Sequence, residues 1–230
     1  MGSGLLQGLL DRGFSQRPDV LPNDPEIEVL TYVSRGFEEY RGFPQAMQTI
    51  ALLQHRRPNL HVLIVGADVV AYGAGRSDGR SWGDWAKQDL SLDPVRTHWL
   101  GSLQTDAYQN VLVWSDIHLY LTVPFVLSWS LLEAMAAGCC IVASDTPPVR
   151  EVLTNGVSGC LVDFFSTHQQ ADATEALLDS VDRRKSLSDA ARHASACYDC
   201  KTGLAAWLRL MSVNSDQTAQ THGRTTNIAV

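Results

Sequence analysis

The stretch IHLYLTVPFVLSWSLLEAMAAGCCIVASD, residues 117–145, sets a short apolar run on either side of a helical one. IHLYLT (117–122) and CCIVASD (139–145) are apolar at consecutive positions and read as strands buried on both faces. Between them Ser128 is a natural N-cap, and the helix that follows carries one charge, Glu133, among Leu131, Leu132, Ala134, Met135 and Ala136. Burying a carboxylate without a partner costs several kcal/mol, so Glu133 requires one.

The same alternation extends in both directions. EVLTYVS (28–34), HVLIVGAD (61–68), RTHWLGS (96–102) and GCLVDFF (159–165) read as further strands. FPQAMQTIALLQHRR (43–57) is amphipathic, with Phe43, Met47, Ile50 and Leu53 on one side, Pro44 in its first turn and Pro58 at its stop. DAYQNVLVWSD (106–116) reads as a short helix, as do Val149 to Leu153 and the segments 168–196 and 200–211. Strands apolar on both faces and separated by helices predict an α/β fold: a Rossmann-like parallel sheet of about six strands with helices on both faces.

RSDGRSWGDWAK (76–87), with Trp82 and Trp85, falls in a long polar and aromatic loop that is either a lid, a binding platform or simply packed. Residues 1–24 read as a connection, residues 25–211 as the domain, and residues 212–230, poor in apolar side chains, as a disordered tail.

Composition narrows the class. The 230 residues are 45% hydrophobic and 19% charged, enough to bury a sizeable core. A net charge of -7 argues against general nucleic-acid binding. No apolar run reaches bilayer length and the opening residues lack a signal-peptide core, so the expectation is a cytoplasmic protein. Cys139, Cys140 and Cys160 sit in apolar runs and read as core, while Cys197 and Cys200 form a C-x-x-C without the second ligand pair that zinc needs. His61, His98 and His118 lie in strand patterns without ligand spacing.

In an open parallel sheet, ligands bind beyond the carboxyl ends of the strands. SRGFEEYRG (34–42) there brings Arg35 and Arg41, which either converge on a diphosphate or, for Arg41, pair with Glu38 or Glu39. The amides of Trp129 and Ser130 at the start of the Glu133 helix would attract an anion. Glu133, in line with Ser130, either accepts hydrogen bonds from a diol such as a ribose or bonds to loop amides. Neither G-x-G-x-x-G nor the Walker pattern is present, which disfavours a nicotinamide, flavin or P-loop site.

Taken together, YVSRGFEEYRG, HVLIVGAD, THWLGSLQTDAYQNVLVWSDIHLYLT, SLLEAMAAGCCIVASDTPPVREVL and NGVSGCLVDF resemble the C-terminal, donor-binding half of a GT-B retaining glycosyltransferase of family 4, the glycosyl transferases group 1. The resemblance implies a nucleotide diphosphate sugar as substrate, with no metal or other cofactor. It implies that Arg35 and Arg41 stabilise the leaving diphosphate, with Arg41 in place of the usual Lys. By the same likeness Ser128 and Trp129 meet the phosphates, Glu133 binds the ribose hydroxyls and Leu103 flanks the base.

Glu133 matches the second glutamate of the family's E-x7-E motif, whereas Phe125 stands where the first would be, beside the transferred sugar. The resemblance also implies a missing N-terminal acceptor domain or partner chain, and any peripheral association with a membrane would belong to that half. Two alternatives remain open: a non-catalytic nucleotide-binding or scaffold half that needs a partner chain, and half of a GT-B-like sugar-nucleotide epimerase.

Overall fold

The computed structural model describes residues 16–222. Their strands are β1 (Glu28–Gly36), β2 (Leu60–Ala67), β3 (Thr97–Gly101), β4 (Ile117–Tyr120), β5 (Cys140–Ser144) and β6 (Cys160–Val162). They form one parallel sheet in the order β3-β2-β1-β4-β5-β6. The helices are α1 (Phe43–Arg56), α2 (Trp82–Asp89), α3 (Thr105–Val113), α4 (Trp129–Ala137), α5 (Pro147–Arg150), α6 (Thr167–Leu178), α7 (Val181–Ser195) and α8 (Cys200–His222). No described helix is long and apolar enough to cross a membrane.

Both faces of the sheet are covered, which is why its strands read as continuous apolar runs. Leu30 and Tyr32 of β1 pack with Phe43, Met47 and Ile50 of α1. Val29, one position out of phase, packs on the other face with Leu63, Val65 and Val111. Farther along, Ile141 and Ala143 of β5 bury Leu131 and Met135 of α4. The chain thus builds outward from β1 to β3, then returns to β4 and builds the other way. Connections leave the carboxyl ends of the adjacent strands β1 and β4 in opposite directions and open a crevice between them.

One expectation needs correction. The 76–87 segment is not wholly loop: α2 begins after Ser81, whose hydroxyl accepts from the Asp84 amide at 3.0 Å. Ser81 supplies the start signal, but Gly83 and the two tryptophans mask the helical periodicity. Helix α8 runs on from Cys200 to His222, into the stretch read above as a tail. Residues 223–230 of that tail, and residues 1–15 of the segment read as a connection, lie outside the described residues. Leu21 is buried in the cluster of Val29 and Leu63, so the packing of the domain begins before residue 25.

Candidate functional site

The crevice at the β1–β4 switch has a volume of about 600 Å³. It gathers every site residue expected from the sequence: Arg35, Arg41, Leu103, Phe125, Ser128, Trp129, Ser130 and Glu133. They come from β1 and from the segments that follow β1, β3 and β4, and the loop after β2 adds Tyr72.

Arg35 is the penultimate residue of β1 and is exposed to the crevice. Arg41 ends a short 3-10 turn, Glu39–Arg41, and is half-buried. Gly42 then turns the chain into α1 with φ 64°, and a Cβ there would lie 2.4 Å from that of Leu121, so the corner behind Arg41 admits glycine alone. The Tyr32 hydroxyl donates to the Arg41 carbonyl at 2.8 Å and fixes this corner from beneath.

Neither Glu38 nor Glu39 pairs with Arg41. Its guanidinium donates to the Thr122 hydroxyl at 3.2 Å and the Val126 carbonyl at 2.9 Å, and lies over the rings of Phe125 (5.3 Å) and Tyr72 (5.9 Å). All four partners are uncharged, so among the described residues the cation keeps its charge for an incoming group.

Glu38 does something else. It is fully buried, and its Oε2 accepts from three successive amides, Ala71, Tyr72 and Gly73, at 3.0, 2.7 and 2.9 Å. This carboxylate ties the loop after β2 to the loop after β1 and brings Tyr72 to the crevice. The role is hidden in the sequence, because the amides lie more than thirty residues downstream and backbone donors leave no signature.

Helix α4 starts as expected. Ser128 is its N-cap, with φ -81° and ψ 143°, and its hydroxyl accepts from the Ser130 amide at 3.3 Å. The Ser128 amide donates to the Tyr120 hydroxyl at 2.9 Å. The Ser130 amide, expected to be open to an anion, is therefore already engaged through a long bond that an anion would have to share or displace. At the other end Gly138 takes φ 81°, and Arg192 donates to the Ala137 carbonyl at 2.9 Å, placing a cation at the negative end of the helix.

Glu133 is half-buried and faces the crevice, with its Oε2 accepting from the Tyr108 hydroxyl at 2.8 Å. Burial pushes its carboxyl above the ordinary range, partly offset by the Tyr108 hydrogen bond. Burial and the Glu133 charge hold the Tyr108 hydroxyl well above 10, so it remains a donor. A carboxylate has about four acceptor positions, which leaves capacity for a ligand hydroxyl. Tyr108 and Leu103 pack together in the cluster beneath β2 and close this end of the crevice.

The crevice sits at the carboxyl edge of one Rossmann-like layer. The family model for glycosyl transferases group 1 matches residues 15–194. The chain belongs to that family. No curated protein sequence matches the chain.

Solved structures with the same fold are GT-B glycosyltransferases. A glycosyltransferase from Rickettsia africae superposes with a TM-score of 0.68 at 18% identity, over 81% of this chain and 48% of that one. Anabaena Alr3699/HepE, solved with UDP and glucose, gives 0.69 at 19% identity, over 81% and 48%. The C-terminal domain of a glycosyl transferase group 1 protein (LpcC) from Francisella tularensis gives 0.62 at 15% identity, over 76% of this chain and 89% of that domain. The chain thus spans about half the length of the first two enzymes and most of the isolated domain.

Proposed function

We propose that this chain is the donor-binding half of a retaining glycosyltransferase of family 4, taking a nucleotide diphosphate sugar without a metal. The observation that carries this reading is the order of groups along one crevice. A carboxylate with spare acceptor capacity, Glu133, stands at one end, the start of α4 in the middle, and Arg41, a cation without a carboxylate partner among the described residues, beyond it. A ribose diol fits the first and a diphosphate the second and third.

In this reading Arg35 and Arg41 stabilise negative charge as the diphosphate departs. Preorganised cations and dipoles of this kind supply the largest single contribution to such a reaction. Leu103 flanks the base, and the acceptor is held by a half beyond this chain. That Anabaena Alr3699/HepE was solved with UDP and with UDP-glucose supports a nucleotide sugar as the ligand.

The test is calorimetric titration with UDP, GDP and ADP. One of them should bind, and Glu133→Ala and Arg35→Ala should each weaken it. Absence of binding by all three, or binding indifferent to both substitutions, refutes the reading.

A further inference from the structure

Beyond Arg41, on the side away from Glu133, the crevice ends in aromatic rings. Tyr72 and Phe125 lie 5.3 Å apart at 59°, and Tyr40 adds a third ring 5.8 Å from Phe125. Tyr40 and Tyr72 are 41% and 49% exposed, and Phe125 is half-buried, so the rings present surface rather than filling a core. Their placement is enforced. Three amides, that of Tyr72 among them, are clamped by the buried Glu38, and Phe125 and Tyr72 share the Arg41 guanidinium.

Arg41 donates to Val126, two residues before the α4 N-cap, so the rings follow directly on the phosphate-binding end of the site. If the nucleoside occupies the Glu133 end and the diphosphate the helix start and Arg41, the group on the distal phosphate meets these rings. Position 125 offers it no hydrogen-bonding group. What the rings offer is a polarisable face, suited to the C–H surface of a saturated ring.

We infer that Tyr72 and Phe125 are the binding wall for the transferred sugar, selecting a pyranose by its apolar C–H face, and that Glu38 is the residue that positions this wall. The inference rests on the donor-site reading above and names the part of the donor these residues recognise.

The experiment compares each nucleoside diphosphate with its sugar conjugate: UDP with UDP-glucose, GDP with GDP-mannose, ADP with ADP-glucose. The full 230-residue chain is titrated as wild type, Phe125→Leu and Tyr72→Ala, with circular dichroism confirming the fold of each variant. Leu keeps apolar bulk at position 125 without the ring, and Tyr72, half exposed, is replaceable without opening a core.

For the nucleotide that binds, both variants should weaken the sugar conjugate by up to about tenfold more than they weaken the bare diphosphate, the scale of a lost ring contact beyond any loss transmitted through Arg41. Equal weakening of both ligands assigns the rings to the nucleotide and overturns the inference, as does an unchanged affinity for the conjugate. Failure of the wild-type chain to bind any bare diphosphate instead overturns the donor-site reading, and this inference falls with it.

Discussion

The Tyr108 hydroxyl donates to Oε2 of Glu133 across 2.8 Å, so the carboxylate buried in an apolar helix is held by a side chain of α3, 25 positions earlier. The pairing is incomplete, since burial still raises the Glu133 carboxyl. A partly satisfied buried carboxylate that faces a crevice stores a stability cost that a ligand can recover.

A raised carboxyl pKa means that the folded chain holds the Glu133 proton more tightly than the unfolded one. Its contribution to stability is then fully present below the unfolded value of 4.5 and is lost as pH rises through the folded value. Glu133→Gln keeps an oxygen for Tyr108 and removes the charge. It should be more stable than wild type at pH 7, with the difference closing towards pH 4, while losing nucleotide affinity. Urea titrations at several pH values check the sign, and a variant less stable at pH 7 than wild type would contradict it.

Arg41 differs from Arg35 in being preorganised by hydrogen bonds to Thr122 and Val126, whereas Arg35 is exposed at the strand end. Hydrogen bonds to charged groups contribute about 1.5–3 kcal/mol, so Arg41→Ala should weaken diphosphate binding by about 10- to 100-fold. Arg35→Ala should cost less and show the steeper dependence on salt, as screening acts most on exposed charges. Arg41→Lys should recover only part of the loss, because an ammonium cannot hold both neutral partners and the ligand in one plane. Calorimetry at two ionic strengths measures all three.

The strands are legible in the sequence because each is apolar on both faces, and the Ser128 cap is legible because N-capping is local chemistry. The order β3-β2-β1-β4-β5-β6 is not, since pairings such as Leu30 with Ile117 join residues far apart in the chain. The same distance hides what holds the site. Arg35, Arg41 and Glu133 announce themselves as charges at strand and helix ends, but their supports do not. Glu38 reads as a surface partner for Arg41 and proves to be a buried clamp on amides of another loop, and Tyr108 carries no mark of its bond to Glu133. Phe125 is visible only as a departure from a motif, and its ring contacts with Tyr40 and Tyr72 emerge once the loops are folded together.

That clamp predicts a specific failure. Glu38→Ala would leave the amides of Ala71, Tyr72 and Gly73 without their acceptor, and each unsatisfied buried donor costs about 1–3 kcal/mol unless water reaches it. The loop should open to water rather than bear the full penalty. The expected result is a stability loss of about 1–3 kcal/mol with faster proteolytic cleavage between β2 and α2. Glu38→Gln, which retains one oxygen for the amides, should be cleaved at a rate between those of Glu38→Ala and wild type. Equal cleavage of wild type and Glu38→Ala would show that the loop is held by something other than this carboxylate.

His118 sits in β4 at full burial, its Nδ1 2.8 Å from the hydroxyl of Thr31, the residue opposite it in β1. Burial pushes its pKa down to about 4, and the stacked pair His61 and His98 is pushed the same way by burial. For a depressed histidine the unfolded chain binds the proton first. The stability contribution is therefore complete above the unfolded value of 6.5 and drains away as pH falls towards 4. Over that window His118 alone should cost on the order of 3 kcal/mol. His118→Gln, which cannot titrate but can still meet Thr31, should flatten the wild-type decline by about that amount, leaving the slope set by the other shifted groups, His61, His98 and Glu133 among them. Unfolding free energies from urea at pH 7, 6, 5 and 4 make the comparison, and parallel curves for the two proteins would remove His118 as the source of acid lability.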